Sequence, residues 1–139
     1  LNEAAEEACK TAAPIFINAV KNMSVGDGFK ILKGNDVAAT NYLKNETSSE
    51  LYNLFIPEVK KAIEKVSLTA YWDPLVKKYN QTTLISGKEK IETDLNKYVT
   101  ERAIDGLFKL VEIQEKEIRK NPLKRTSDIL KKVFNSLDP

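Results

Sequence analysis

The sequence predicts an all-α protein: a single-domain, irregular bundle of about six to seven helices, with proline-kinked helices and a long central helix towards the C-terminus. Three observations carry that expectation. Apolar residues recur at three- and four-residue spacing through most of the chain, the period of a helix with one buried face. Capping residues and glycines punctuate those stripes where helices should start and stop. A chain of 139 residues, 42% hydrophobic and 30% charged, is large enough to bury a core as one domain over residues 1–139.

The first helix is expected over about residues 3–22. Ala5, Ala8, Cys9, Ala12, Phe16, Ala19, Val20 and Met23 form one stripe, and Pro14 lies off it as a kink. Glu3, Glu6 and Glu7 suit the positive end of the helix dipole. Next comes "VGDGFKILKGNDVAAT", residues 25–40, with Gly26, Gly28 and Gly34. A dinucleotide fingerprint would need a glycine where Ile31 stands and a strand before it, and a P-loop would need Gly-Lys-Ser/Thr. Phe29, Ile31 and Leu32 forbid a calcium loop. Capping explains the stretch better. Ser24 starts a short helix with Asp27 in its third position, Gly34 ends that helix at positive φ, and Asn35 or Asp36 caps the next. Gly28 is read as a close helix contact.

Thr47-Ser48-Ser49-Glu50 has the form of a capping box. The helix behind it carries Leu51, Leu54, Phe55, Val59, Ala62, Ile63 and Val66, with Pro57 as a kink. Tyr71, Trp72, Leu75, Val76 and Tyr79 suggest a shorter helix starting at Asp73-Pro74. Residues 80–92 read as the longest loop, with a hairpin possible at "TTLIS". The longest helix is expected from about Asp94 to Lys120. Its stripe is Leu95, Tyr98, Val99, Ala103, Leu107, Leu110, Val111 and Ile118, widened by Ile104 and Phe108. Asp105/Lys109, Glu112/Lys116 and Glu115/Arg119 are acid-first i,i+4 pairs on its outer face. Gly106 in its middle implies a helix crossing too near for any side chain. Asn121-Pro122 stops this helix. A last one follows Thr126 or Ser127, with Ile129, Leu130, Val133 and Phe134 inside.

Composition narrows the chemistry. There is no histidine and one cysteine, Cys9, read as a small core residue. Ser-His-Asp and Cys-His catalysis, histidine zinc sites and an intrachain disulfide are therefore excluded. No metal, cofactor or catalytic residue is expected. Glu6/Glu7 and Glu89/Glu92 lack an apolar setting that would hold a proton. The net charge of +2 makes no global case for nucleic acid, and no run of eighteen apolar residues could span a membrane. The sequons at Asn22, Asn45 and Asn80 are explained by caps and loops.

"NEAAEEA" (2–8), "PIFINAV" (14–20), "ILKGNDVAATNYLKNET" (31–47), "YVTERAIDGLF" (98–108) and "IRKNPLKRTSDILKKVF" (118–134) occur in this order. Together they resemble the bacterial family catalogued as domain of unknown function 4197. The resemblance spans nearly the whole chain. It implies a helical bacterial protein, periplasmic or envelope-associated, with an upstream segment before Leu1 and often an export or lipoprotein signal. It supplies no activity.

The polar residues inside those blocks are Asp27, Thr40, Asn41, Thr100, Asp105, Arg119, Asn121, Arg125 and Thr126. The candidate ligand-binding set is Arg119, Asn121 and Arg125, with Asp105 and Thr40. The two arginines and Asn121 flank a helix–turn–helix corner and could bind a carboxylate or phosphate. Alternatively the arginines pair with helix-end carbonyls and nearby carboxylates, and Asn121 forms the turn. Residues 116–132 hold an excess of Lys and Arg, which a solvated face explains better than a lipid headgroup or nucleic acid.

Two functions fit. One is a non-enzymatic, exported helical binding module for a small ligand or an envelope partner protein. The other is a structural, envelope-associated domain with no ligand of its own. An enclosed cavity lined by Phe16, Phe55, Tyr71, Trp72 or Phe108 would favour a small ligand. A close-packed bundle would favour the structural role.

Overall fold

A computed structural model describes residues 2–128, 131, 134 and 135, with the backbone alone over residues 2–9. The protein is all-α. Its described residues form α1 (Asn2–Lys21), α2 (Val25–Leu32), α3 (Ala38–Lys65), α4 (Thr69–Ser86), α5 (Leu95–Lys120) and a 3-10 turn over Pro122–Lys124. Among the described residues five α-helices stand where six or seven were expected, because the start anticipated at Thr47 lies inside α3. The expected last helix falls largely outside the described residues, as do the side chains of Ala5, Ala8 and Cys9. Backbone contacts divide the chain into two compact units, Leu1–Glu50 with Asp105–Pro139, and Leu51–Ile104.

In the first unit α1 runs through Pro14 and buries Ala12 and Ile15. The Phe16 ring meets Phe108 edge-on, with centroids 5.9 Å apart. Ser24 caps α2 as expected: its Oγ accepts from the Asp27 N–H at 3.1 Å and donates to the Asp27 carboxylate at 2.6 Å. That hydroxyl, with Lys30 beside it, holds the Asp27 carboxyl below its ordinary value. Gly34 departs from expectation, since its φ is not positive. Lys33 ends α2 in right-handed geometry. Space constrains Gly34 instead: a Cβ there would stand 2.6 Å from Ala38 Cβ and 2.8 Å from the Lys30 carbonyl. At Gly28 a Cβ would meet only Met23 Sδ at 3.9 Å, so no close contact requires that glycine. Asn35 Oδ1 accepts from the Val37 N–H at 3.1 Å just ahead of α3.

The capping box at 47–50 does not form, because α3 is continuous across it. Thr47 and Ser48 donate their hydroxyls to the Leu43 and Lys44 carbonyls at 2.7 and 2.6 Å. Such back-bonding satisfies a hydroxyl without ending the helix. At 28 residues α3 also outruns the 26-residue α5, which was expected to be longest.

In the second unit Leu51, Phe55, Ile63, Val76, Leu95 and Ile104 are buried. Ser67, at φ 51°, closes α3. Its N–H reaches the Glu64 carbonyl at 3.2 Å and the Leu68 N–H reaches that of Ile63 at 3.3 Å, the paired bonds of a left-handed helix end. Helix α4 starts at Thr69, not at Asp73-Pro74, and takes Pro74 inside it. It also continues through "TTLIS", where a loop or hairpin was expected. Thr82 and Thr83 bond back to the Tyr79 and Asn80 carbonyls at 2.7 and 2.8 Å. Gly87 ends α4 at φ 67°. The connection to α5 is pinned by Asn80, which both donates to and accepts from Ile91 main chain at 2.8 Å. Trp72 Nε1 donates to the Thr93 carbonyl at 3.1 Å, and its ring lies 4.8 Å from that of Tyr98.

Asp94 caps α5 by accepting from the Asn96 and Lys97 N–H groups at 2.9 and 3.2 Å. The buried positions of α5 are Leu95, Thr100, Ile104, Phe108 and Glu115. Ile104 and Phe108, expected only to widen the stripe, are core residues, whereas Ala103 and Leu110 are exposed. Gly106 is exposed too, and a Cβ there would meet nothing within 4 Å. The expected tight crossing is absent.

Candidate functional site

The structure brings two of the five candidate site residues, Thr40 and Arg119, onto Glu115, which the sequence reading paired with Arg119 on the outer face of its helix. Glu115 is only 6% exposed. Its carboxylate accepts from the Ala39 N–H at 2.9 Å, the Thr40 N–H at 2.8 Å and the Thr40 hydroxyl at 2.7 Å. Arg119 Nε donates at 2.9 Å to Oε1, the oxygen that also accepts from Ala39. Burial pushes the Glu115 carboxyl up, but the donors from Ala39, Thr40 and Arg119 outweigh it and leave the group below its ordinary value. The carboxylate thus fills the anion-attracting N-terminus of α3 from a helix far along the chain.

Arg119 also donates to the Ile31 and Leu32 carbonyls at 2.8 and 3.3 Å, at the end of α2. Arg125, 1% exposed, donates to the Ile118 carbonyl at 3.1 Å, the Arg119 carbonyl at 3.2 Å and Asn135 Oδ1 at 2.9 Å. It therefore closes the C-terminal end of α5. Asn121 Oδ1 accepts from the Leu123 N–H at 3.0 Å and forms the turn. Asp105 stands apart, in an exposed pair with Lys44 at 3.3 Å rather than with Lys109. The arginines serve helix-end carbonyls and a carboxylate, the second of the two readings the sequence allowed.

The basic corner is similarly engaged. Lys116 pairs with Glu112, Lys120 with Asp36 at 3.3 Å and Lys131 with Asp128 at 3.7 Å. Glu92 pairs with Lys97 at 2.6 Å, which lowers its pKa. Among the described residues, no group of three or more His, Cys, Asp or Glu could hold a metal ion. None of their helices is long and apolar enough to cross a membrane.

Unit 2 contains an open groove of about 820 Å3 along α4, the connection to α5 and the start of α5. Val76, Leu84 and Leu95 supply its apolar lining, and Asp73, Lys77 and Lys90 supply charge. Asn96 lines it as well, with a buried side-chain oxygen that accepts no hydrogen bond in the structure. None of Phe16, Phe55, Tyr71, Trp72 and Phe108 lines it, so this is not the enclosed aromatic cavity expected of an apolar-ligand protein.

A different surface of α4 was missed entirely. The 18-residue helix buries only Val76 and Thr83. Tyr71 is 70% exposed, Leu75 66% and Ile85 93%. The signal was present as a second apolar stripe beside the Trp72–Val76 face, but Tyr71 and Leu75 were assigned to the same buried face.

The family described as Protein of unknown function (DUF4197) matches residues 1–135, and the chain belongs to it. Comparison with curated proteins and with solved structures finds no match.

Proposed function

We propose that this chain is a non-enzymatic binding module that takes a partner polypeptide along the exposed face of α4, in the periplasm or at the envelope. The observation that carries the proposal is the apolar surface that α4 leaves in water. Helices in folded proteins gain most of their stability by burying an apolar face. Large apolar side chains left exposed together mark interaction sites. The groove on the neighbouring side is open along α4 rather than enclosed, a form that suits a polypeptide better than an enclosed small molecule. The location rests on the family resemblance alone.

The titratable groups support a non-enzymatic role. Asp27, Glu92, Glu112 and Glu115 are all shifted down, so each carboxylate holds its charge. Burial, with Glu46 and Asp27 nearby, raises Tyr42 further from neutrality. General acids and bases are tuned the other way. The internal spending of Arg119, Asn121 and Arg125 favours a structural role for unit 1 beside the binding role of unit 2.

Site-specific photo-crosslinking in the native host tests the proposal. A crosslinker at position 75 should yield a discrete protein adduct, while one at exposed Asn18 should not. No adduct from position 75, or the same adducts from both positions, overturns it.

A further inference from the structure

Building on that reading, we infer that the occupant of α4 is an amphipathic helix presenting a carboxylate opposite Lys78. Leu68, Tyr71, Leu75, Lys78, Thr82 and Ile85 follow one another at alternating spacings of three and four residues, and every one is exposed. That alternation is the seam of a two-helix coiled coil, in which each side chain inserts between residues of a facing helix. The seam runs from the residue before α4 into its last turn. A facing helix is the element whose geometry matches it.

Lys78 decides which helix. It sits in the middle of the seam, is exposed, and forms no ion pair among the described residues. A second copy of this chain fits poorly. Parallel pairing sets Lys78 against Lys78. Antiparallel pairing centred on the seam sets Lys78 level with Leu75, and brings the two ammonium groups within three residues, about 4.5 Å along the axis. Either register buries like charges together. A partner with an acid in that layer converts the repulsion into a pair and fixes the register.

The test uses two synthetic three-heptad peptides without tryptophan. Both carry leucine at the seam positions, and they differ only in the layer that faces Lys78, Glu in one and Lys in the other. Trp72, the sole tryptophan, borders the seam and reports binding by its fluorescence. The Glu peptide should bind saturably, and the Lys peptide about tenfold or more weaker. Lys78→Glu should reverse that order. Leu75→Asp, at an exposed position, should abolish binding while leaving the circular dichroism spectrum unchanged. Equal binding of the two peptides, or none, overturns the inference, as does dimerisation of the protein alone in sedimentation. Crosslinking from position 75 can still succeed in those cases, so failure of the acidic-helix assignment is separable from failure of the binding role.

Discussion

Replacing Glu115 with alanine removes one carboxylate and strands four donors. The Ala39 and Thr40 N–H groups lose their acceptor at the start of α3, a loss comparable to deleting a helix cap, about 1 kcal/mol. The Thr40 hydroxyl, in a residue 5% exposed, loses its partner as well. Arg119 loses the carboxylate 2.8 Å from its guanidinium, with both side chains nearly buried. Breaking a buried ion pair from one side costs about 3–5 kcal/mol. Arg119 keeps the Ile31 and Leu32 carbonyls, which places the expected total near the lower end, about 3–4 kcal/mol. Glu115→Gln retains one acceptor oxygen and should cost about 2 kcal/mol. Urea denaturation followed by circular dichroism reads both, and a cycle with Thr40→Val should return a coupling of about 1 kcal/mol or more. The pH dependence has a definite sign. The folded Glu115 pKa is lowered from 4.5, so its stabilisation is complete above 4.5 and is lost as pH falls through the lower folded value. The gap between wild type and Glu115→Gln should narrow over that acid range. A Glu115→Ala cost below about 1 kcal/mol, or no coupling to Thr40, would refute the remote-cap account.

Gly34→Ala should destabilise by about 1–3 kcal/mol because the new methyl meets Ala38 and the Lys30 carbonyl; an unchanged urea midpoint would contradict that packing. Gly106→Ala, at an open helical position, should stabilise by up to about 1 kcal/mol, read as a higher midpoint with the same m-value. Ser67→Gly should stabilise by about 0.5–1 kcal/mol, since a side chain at φ 51° is strained and glycine is not; a lower thermal midpoint would show that Ser67 is held there by something more than its backbone.

Periodicity made the helices legible, and local chemistry made many of their boundaries so. Ser24 caps and Asn121 turns where the sequence placed them, because such bonds are satisfied within three residues. Errors arose where one residue type serves two backbones. Thr47, Ser48, Thr82 and Thr83 were read as caps or strand residues, but their hydroxyls can equally bond the preceding helical turn. Gly34 proved to be the crowded glycine and Gly106 the open one, because a glycine does not announce whether space or backbone conformation selects it. The residues around the buried cluster were partly visible: Arg119, Arg125 and Thr40 were singled out. Glu115 was not, because i,i+4 spacing to Arg119 gave it a sufficient local partner. Nothing in the sequence points from Glu115 to the main chain of Ala39.

That long-range cap has a kinetic consequence. Ala39 and Thr40 precede Glu115 by 76 and 75 residues, and closing a loop of that length costs about 4 kcal/mol of chain entropy. On the ribosome the start of α3 is made well before Glu115, and until then it has only the local Asn35 bond to hold it. The cap is therefore among the contacts expected to form after the folding barrier. Substitutions at Glu115 should leave the refolding rate nearly unchanged and speed unfolding. The bond thus acts on how long the folded molecule lasts, more than on how quickly it is reached.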